Sequence, residues 1–292
     1  MSEHELDSAA LGKVGMMRQK QPDMYVMRLK AVAGDLTADQ LACVAVVARK
    51  YGRGFVHLST RQGIEIHYVH KDNLETARFE LQEAGIEMGA CGPRVRVIVA
   101  CPGDDSCRWG NIDTKKIARE LDARYFKLEA PSKFKLAVTG CSHNCTKANE
   151  NDIGIRGAIE PKWDALDCND CGLCVSLCPL HSISRAESDE GFSYEIDWES
   201  CINCSICTSL CPSGSWEVGR IGYTLFIGGT MGKIPRLASV LKQLVETEEE
   251  LYLLIEKAFG YYCANGRKKE RFGHMIDRIG LDTMKEAILG TE

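Results

Sequence analysis

The spacing of the cysteines constrains this chain more than any other feature of its sequence. Fifteen cysteines occur in 292 residues, and twelve of them fall into three tight groups instead of being scattered. Clustering at ligand spacing indicates metal or cluster ligation and argues against the disulfide framework of a secreted protein. Thiolates are soft ligands that select iron–sulfur clusters, zinc or copper(I) over harder ions. The sequence therefore predicts a fold that is organised around sulfur-ligated metal centres.

Two of these groups are complete C-x2-C-x2-C-x3-C-P runs, the most specific motif in the chain. They begin at Cys168 and Cys201, about 33 residues apart. The runs resemble those of bacterial two-cluster ferredoxins, in which the fourth cysteine of each run ligates the other cluster. That resemblance implies one [4Fe–4S] cluster on Cys168, Cys171, Cys174 and Cys211, and another on Cys201, Cys204, Cys207 and Cys178. The alternative is a zinc-binding repeat.

The third group is a C-x5-C pair followed, about thirty residues later, by a C-x3-C pair. This spacing resembles the cluster motif of siroheme-containing sulfite and nitrite reductases. The resemblance implies that a [4Fe–4S] cluster is held by Cys101, Cys107, Cys141 and Cys145. In that family the last cysteine is shared with the siroheme iron, which gives Cys145 as the axial ligand. The alternatives are four buried free cysteines or a plain zinc site.

The N-terminal region is predicted to form a ferredoxin-like β-α-β-β-α-β unit. Apolar periodicity favours a helix after Thr37 or Asp35, either of which can cap it. The segment around Arg61-Gln-Gly63 reads as the turn of a β-hairpin. The predicted strands cover residues 24–30, 55–60, 64–69 and 95–100, and a second helix covers 71–83. This plan hosts many functions, so it does not by itself select one.

Three short elements carry candidate substrate contacts. Thr60-Arg61-Gln62 resembles the T-R-Q element of the same reductases, in which the arginine faces the siroheme and the substrate anion. Lys133-Phe-Lys135 resembles the family's pair of active-site lysines, and side chains two apart on a strand share a face. Arg108, next to Cys107, matches a substrate-binding arginine more loosely. The structural alternatives are an exposed turn arginine and two solvated lysines at a strand edge.

The resemblance covers the chain from about residue 20 to its end and implies an α+β fold in three parts. Residues 1–100 form the N-terminal ferredoxin-like half-domain. An α/β domain that carries siroheme and a [4Fe–4S] cluster comprises residues 101–160 and 217–292. A bacterial-type two-cluster ferredoxin, residues 161–216, is inserted into it. Near the C-terminus, periodicity predicts amphipathic helices over Leu237–Val245 and Glu248–Phe259.

The charge and hydropathy of the chain limit the kinds of partner that it can bind. The net charge of −5 and the isoelectric point near 5.9 argue against a general nucleic-acid binder. The first residues are acidic and lack an apolar core, so we expect no signal peptide. The longest apolar run, residues 41–48, is too short to cross a bilayer. We therefore expect a cytoplasmic protein without membrane insertion, in a cell with little oxygen.

Taken together, the resemblance implies a siroheme sulfite reductase of the anaerobic or dissimilatory type. It would reduce sulfite to sulfide by six electrons, using siroheme and three [4Fe–4S] clusters, with an external low-potential donor protein or subunit. Larger family members contain two catalytic repeats, so we expect this chain to form a homo-oligomer or a hetero-oligomer. The alternatives are nitrite reduction to ammonia on the same site, or a non-catalytic electron-transfer subunit of a larger reductase.

Overall fold

The computed structural model describes residues 8–188 and 191–290 of the chain. Its N-terminal unit is a four-stranded antiparallel sheet in the order β1-β2-β4-β3, against which helices pack. The strands are β1 (Met16–Arg18), β2 (Met24–Leu29), β3 (Val56–Leu58) and β4 (Ile64–His70). The helices are α1 (Ser8–Lys13), α2 (Ala38–Tyr51) and α3 (Leu74–Glu83). Their apolar faces enclose one core, which includes Met27, Val47, Ile66 and Leu81.

Helix α2 begins where the sequence predicts it. Thr37 accepts a hydrogen bond from the Gln40 backbone N–H at 3.1 Å, and the Gln40 side chain accepts one from the Thr37 N–H at 3.0 Å. This reciprocal capping box satisfies two of the N–H groups that every helix start leaves unpaired. Val44, Val47 and Ala48 are the buried face of the helix, as their spacing predicts, but Leu41, which the same spacing assigns to that face, is 52% exposed.

The predicted strand over residues 95–100 is wrong in length and in place. Only Val99–Ala100 is a strand (β5), and it pairs in parallel with a strand of the second unit, not with the N-terminal sheet. The N-terminal sheet is completed instead by β1 and by a single bridge from Met88 to Leu29. An apolar run such as this one fits either sheet, because strand periodicity does not identify the partner strand.

The second unit begins with β5, helix α4 (Thr114–Tyr125), β6 (Leu136–Thr139) and β7 (Ile153–Trp163). Asp113 caps α4, because its side chain accepts a hydrogen bond from the Lys116 N–H at 2.8 Å. Between β7 and the next long strand lies a small module with two short helices and a hairpin. Its elements are α5 (Leu173–Leu177), β8 (Ile183–Ser188), β9 (Gly191–Ile196) and α6 (Ile206–Leu210).

The chain then returns to the same sheet. The remaining elements are β10 (Trp216–Ile227), β11 (Ser239–Val245), α7 (Glu248–Asn265), α8 (Phe272–Ile279) and α9 (Leu281–Leu289). The sheet order is β11-β10-β7-β6-β5, with β7 antiparallel to β10 from Trp163 and Trp216 onward. The small module therefore extends from the ends of two paired strands. Residues of α4, α7, α8 and α9 share one core with this sheet, and its centre is the aromatic group of Phe134, Tyr262 and Phe272.

The predicted helix over Leu237–Val245 is also wrong, since the segment is strand β11 at the edge of the sheet. Its pairing with β10 contains register shifts, and Leu244 has a positive φ of 47°. Such bulges break the two-residue alternation, so the apolar residues fall at helix-like spacing. The helix predicted after it is confirmed and extends further, to Asn265, with Thr247 as its cap.

No helix among residues 8–188 and 191–290 combines the length and the apolar character needed to cross a membrane.

Candidate active site

The central cysteine set, which we define as Cys101, Cys107, Cys141 and Cys145, lies at one edge of the five-stranded sheet. Cys101 directly follows β5 and Cys141 lies two residues after β6. Because β5 and β6 are parallel, their carboxyl ends meet at the same edge. Burial raises the pKa of the Cys141 thiol, and the charges of the other three cysteines raise it further. The structure thus brings the four thiols together.

The loops that carry the central cysteine set pack closely because glycines lie where the loops meet. The Gly140 N–H donates to the Cys101 Sγ at 3.1 Å, and the Thr114 hydroxyl donates to the Cys101 carbonyl. A Cβ atom on Gly110 would overlap the carbonyl carbon of Gly103. The C-x5-C segment and the turn that follows Cys107 therefore touch backbone to backbone.

We expect Gly110→Ala to disrupt the central cysteine set. A methyl group at this position meets backbone, which cannot move aside like a flexible side chain, so the Cys107 loop must shift. The expected result is the loss of about one cluster's iron per chain from anaerobically purified protein, measured by iron quantitation. Gly260→Ala in α7 is the matched control, because nothing lies within 4 Å of the added atom. Unchanged iron content in Gly110→Ala would contradict this prediction.

A cationic cleft of about 310 Å³ opens between the two units. It is lined by Arg28, Arg61, Arg96, Lys133 and Lys135, together with Glu65 and uncharged residues. The two lysines of the K-F-K element and the T-R-Q arginine therefore line one cleft, whereas Arg108 is not among its lining residues. Arg108 is exposed, and its guanidinium lies 4.9 Å from the ring centroid of Trp109. A concave site of this size with convergent cations is suited to a small anion or an anionic cofactor.

Phe134 sets the direction of the two lysines. Its ring is 1% exposed and stacks on Tyr262, with the ring centroids 5.4 Å apart. The Phe134 N–H donates to the Arg94 carbonyl, and the Phe134 carbonyl accepts from the Arg96 N–H. This strand-like pairing keeps residues 133–135 extended. Side chains alternate along extended backbone, and burial of Phe134 therefore directs Lys133 and Lys135 to the cleft. Among the described residues, neither lysine ammonium has an ion-pair or hydrogen-bond partner.

The arginines of the cleft, in contrast, are bound to protein groups. Arg61 donates to the Asn151 side chain at 2.6 Å, to the Val97 carbonyl at 3.0 Å and to the Leu136 carbonyl at 3.3 Å. Burial lowers its pKa to about 10, which leaves it charged at neutral pH. Arg61 thus anchors the hairpin turn on the second sheet and contributes a fixed positive charge to the cleft.

Asn151 connects this anchor to the loop of the central cysteine set. It donates through Nδ2 to the Lys147 carbonyl at 2.9 Å while it accepts from Arg61. Within the loop, Asn144 donates to Asn149 at 2.8 Å and accepts from the Ala148 N–H at 2.7 Å. Hydrogen bonds therefore run without interruption from the cleft to the segment that bears Cys145.

A buried ion pair between Asp152 and Arg271 fixes the backbone at Lys135. Asp152 is fully buried, and its Oδ2 lies 2.6 Å from Arg271 Nη2 and 2.8 Å from the Lys135 backbone N. Burial raises the pKa of Asp152, and the Arg271 charge opposes that rise. Burial also lowers the pKa of Lys135 to about 8, with further lowering from Arg61, Arg271 and Lys133. The Lys135 ammonium therefore remains a cation at neutral pH but gives up its proton more readily than an ordinary lysine.

Sequence reasoning missed four residues of this site: Arg28, Arg96, Asp152 and Arg271. Arg96 stands as a charged residue inside the apolar run from Val95 to Ala100, a signal that could have identified it. Arg28 alternates with the buried Met27 and Leu29 on β2, which places it on the other face. Asp152 and Arg271 are 119 residues apart, and nothing local in the sequence predicts their contact.

The small module groups its cysteines across the two runs. One cavity is lined by Cys168, Cys171, Cys174 and Cys211, with Cys207 at its border, and we call those four the first module set. A second cavity is lined by Cys178, Cys201, Cys204 and Cys207, which we call the second module set. Helices α5 and α6 start at left-handed residues, Gly172 and Ser205, both with φ of 68°. The module is thus an internal repeat in backbone conformation as well as in sequence.

Among the described residues, no three His, Cys, Asp or Glu side chains converge to hold a single metal ion. A [4Fe–4S] cluster takes one thiolate per iron, so its four ligands need not converge on one ion. Three four-cysteine sets and a cationic cleft are typical of iron–sulfur oxidoreductases.

Comparison with known families then identifies the kind of oxidoreductase. The family described as the nitrite and sulphite reductase 4Fe-4S domain matches residues 91–292. The nitrite/sulfite reductase ferredoxin-like half domain matches residues 17–84. The chain belongs to the nitrite and sulfite reductase family.

Relatives and solved structures agree with this assignment. The coenzyme F420-dependent sulfite reductase of Methanocaldococcus jannaschii is 30% identical over 94% of this chain, which spans only 44% of that relative's length. One subunit of the anaerobic sulfite reductase of Salmonella typhimurium is 27% identical over 90% of this chain and 83% of its own. The crystal structure of dissimilatory sulfite reductase I has the same fold, with a TM-score of 0.75, 21% identity, and coverage of 92% of this chain and 70% of its own.

Proposed function

We propose that this chain reduces sulfite to sulfide at a siroheme that is coupled through Cys145 to a [4Fe–4S] cluster on the central cysteine set. The observation that carries the proposal is the cleft in which Lys133 and Lys135 have no protein partner among the described residues while three arginines surround them. Five cations converge on this cleft against the single lining carboxylate of Glu65, and such an excess of positive charge indicates an anionic ligand. Relatives named as sulfite reductases support this choice of anion.

The residues present fit the proposed cofactors. Four thiols grouped at one sheet edge, one of which accepts an N–H bond, are the donor set of a [4Fe–4S] cluster. Siroheme is rich in carboxylates, and the cationic cleft provides charges that would complement them. When bound, the siroheme and its cluster would supply single electrons to the sulfur oxyanion. Exposed Cys145 remains accessible as the ligand that the two cofactors would share.

The chain's own residues would bind the anion and supply protons. At an effective dielectric near 20, a cation about 4 Å from the anion contributes roughly 4 kcal/mol before desolvation. Lys133 and Lys135 are free to make such contacts, whereas Arg61 and Arg96 mainly hold the walls of the cleft. Lys135, whose pKa is lowered to about 8 by burial, can bind as a cation and donate a proton in the same pocket.

The module would carry electrons to this site. Its two cysteine sets suit two further [4Fe–4S] clusters, with Cys211 and Cys178 each serving the set of the other run. An external low-potential donor would deliver electrons to the module, which is attached to the sheet that holds the central cysteine set. A second catalytic repeat would come from a partner chain, and relatives that are named as subunits are consistent with such an assembly.

We predict three [4Fe–4S] clusters and one siroheme per chain, because twelve cysteines form three complete ligand sets. Anaerobically purified protein should contain about twelve irons and show siroheme absorption. Metal analysis and the visible spectrum measure both quantities. About eight irons without siroheme would contradict the catalytic proposal while leaving the two-cluster module intact, and zinc in place of iron would contradict all three cluster assignments.

The activity itself is tested by steady-state reduction of sulfite with a chemically reduced dye, which bypasses the natural donor. We expect stoichiometric sulfide. Nitrite is the competing substrate, since a nitrite reductase of Klebsiella oxytoca is 34% identical over 51% of this chain and 16% of its own length. Ammonia from nitrite with no sulfide from sulfite would assign the chain to nitrite reduction. Failure with both anions in siroheme-loaded protein would leave it as an electron-transfer subunit.

A further inference from the structure

Arg156 lies between the central cysteine set and the second module set. It stands on β7, where its backbone is paired with Thr139 of β6 and Thr224 of β10. Its Nη2 donates to the Ile202 carbonyl at 2.9 Å, inside the C-x2-C segment of the second run. The carbon at the centre of its guanidinium lies 5.1 Å from the ring centroid of Phe226. One arginine thus reaches from the catalytic sheet to the loop of a different cysteine set.

The two cysteine loops also touch each other directly. Ser142, the neighbour of Cys141, donates through its hydroxyl to the Cys204 carbonyl at 3.2 Å. Asn203 donates through Nδ2 to the Ile159 carbonyl at 2.9 Å, and its own backbone carbonyl accepts from the Ile159 N–H at 3.2 Å. The loop that bears Cys201 and Cys204 is therefore fixed on β7 and against the Cys141 loop, and this contact is the junction between module and catalytic unit.

The charge of Arg156 at this junction has no carboxylate partner among the described residues. Burial lowers its pKa, and the negative charges that oppose this are those of Cys204 and Cys141, one from each set. Its Nε is buried and has no hydrogen-bond partner in the part of the chain that the structure describes. A buried guanidinium is costly unless negative charge faces it, and the cluster-bound thiolates of the two cysteine sets would provide that charge.

We propose that Arg156 is a positioning residue that couples the module to the catalytic unit: it holds the Ile202 loop in place and raises the reduction potentials of both adjacent cysteine sets once they carry clusters. The proposal rests on the proposed function, which assigns clusters to both sets. Fixed positive charge stabilises the more negative, reduced form of a cluster, and local charge and hydrogen bonding are known determinants of cluster potential.

The electron balance requires no further reactant. One electron would pass from a cluster on the second module set to a cluster on the central cysteine set, so that the first cluster would be oxidised and the second reduced. No bond forms or breaks, and Arg156 keeps its proton throughout. The external low-potential donor supplies the electron, and the oxyanion consumes it. By acting on both sets, Arg156 would raise the two potentials together, and its hydrogen bond to the Ile202 carbonyl would hold the two sets near each other.

The test is potentiometry of the anaerobic holoprotein, with dithionite as reductant and electron paramagnetic resonance as the readout. Arg156→Gln removes the charge but keeps an N–H donor for the Ile202 carbonyl. We expect the equilibrium constant for one-electron reduction to fall about tenfold at two of the three clusters, a shift of about 59 mV. The potential of the first module set should not move. Arg156→Lys should return both potentials to near the wild-type values.

Arg220→Gln is the matched control, because Arg220 on β10 pairs with Glu160 and Glu246 at the surface. Three unchanged potentials in Arg156→Gln with full iron content would overturn the proposal, as would lowered potentials in Arg156→Lys. If Arg156→Gln loses iron, Arg156→Lys decides: wild-type potentials support the proposal and lowered ones overturn it. Wild-type protein that shows all three cluster signals without siroheme would refute the proposed function but would still permit this test.

Discussion

Replacement of Lys135 by methionine should nearly abolish sulfite reduction while leaving iron and siroheme content unchanged. The change removes a cation that has no protein partner among the described residues and, with it, a proton donor whose pKa burial has lowered to about 8. A positioned acid typically contributes about 10²–10⁴-fold to the rate, so we expect a loss of that order in kcat. The measurement is steady-state sulfide formation with a chemically reduced dye. We expect sulfite to be affected more than nitrite, because it has more charge and more oxygens to satisfy.

Lys116→Met is the control for this experiment. Lys116 lies on α4, outside the cleft, and pairs with Glu248 at 2.8 Å. Its replacement should leave the rate of sulfite reduction within error of the wild type. A normal rate in Lys135→Met would show that the lysine is a solvated strand residue, and a loss of iron would show that it is structural.

The pH profile separates the chemical role from a merely structural one. Lys135 is a cation below its pKa of about 8 and is neutral above it. The wild-type rate should therefore fall as the pH rises through about 8. The rate of Lys135→Met, although low, should lack this decline. An identical decline in both proteins would assign the titration to another group.

Local sequence patterns predict the parts of the site that depend on neighbours in the chain. The sequence predicts a helix capped by Thr37 or Asp35 and a shared direction for Lys133 and Lys135. In the structure Thr37 is the cap, and both lysines line one cleft. The assignments of these lysines and of the cysteine ligands to chemical roles remain predictions. The patterns do not predict which strand or helix each element packs against. Periodicity attaches residues 95–100 to the wrong sheet, and the bulged strand β11 has the spacing of a helix.

The buried ion pair that supports the cleft could not be predicted from the sequence, for the same reason. Arg271 belongs to a basic segment that resembles a solvated helix face, and Asp152 follows an asparagine in an ordinary loop. Only the closure of the second unit brings them together, with Arg271 preceding α8 and Asp152 preceding β7. A buried pair between distant segments leaves no periodic pattern in the sequence, because the contact depends on tertiary structure and not on neighbours in the chain.

Replacement of Asp152 by alanine should strongly destabilise the second unit. It leaves the Arg271 guanidinium, which is 8% exposed, without its partner, and it removes the acceptor of the Lys135 N–H. Breaking a buried ion pair in this way costs about 3–5 kcal/mol. The expected result is a lower urea midpoint at unchanged m, followed by far-ultraviolet circular dichroism on the holoprotein.

Two further variants test whether the loss of stability comes from burial of the charges or from the loss of an ion pair of any kind. Asp277 pairs with Arg236 at 2.9 Å, but its side chain is 57% exposed, so Asp277→Ala should cost no more than about 1 kcal/mol. In Asp152→Leu/Arg271→Met no buried charge is left unpaired, and most of the lost stability should return. Sulfite reduction should not return with it, because Lys135 still lacks the carboxylate that fixes its backbone. Recovery of both stability and full activity in the double variant would show that the pair only fills space, and that Lys135 is positioned by the packing of Phe134 alone.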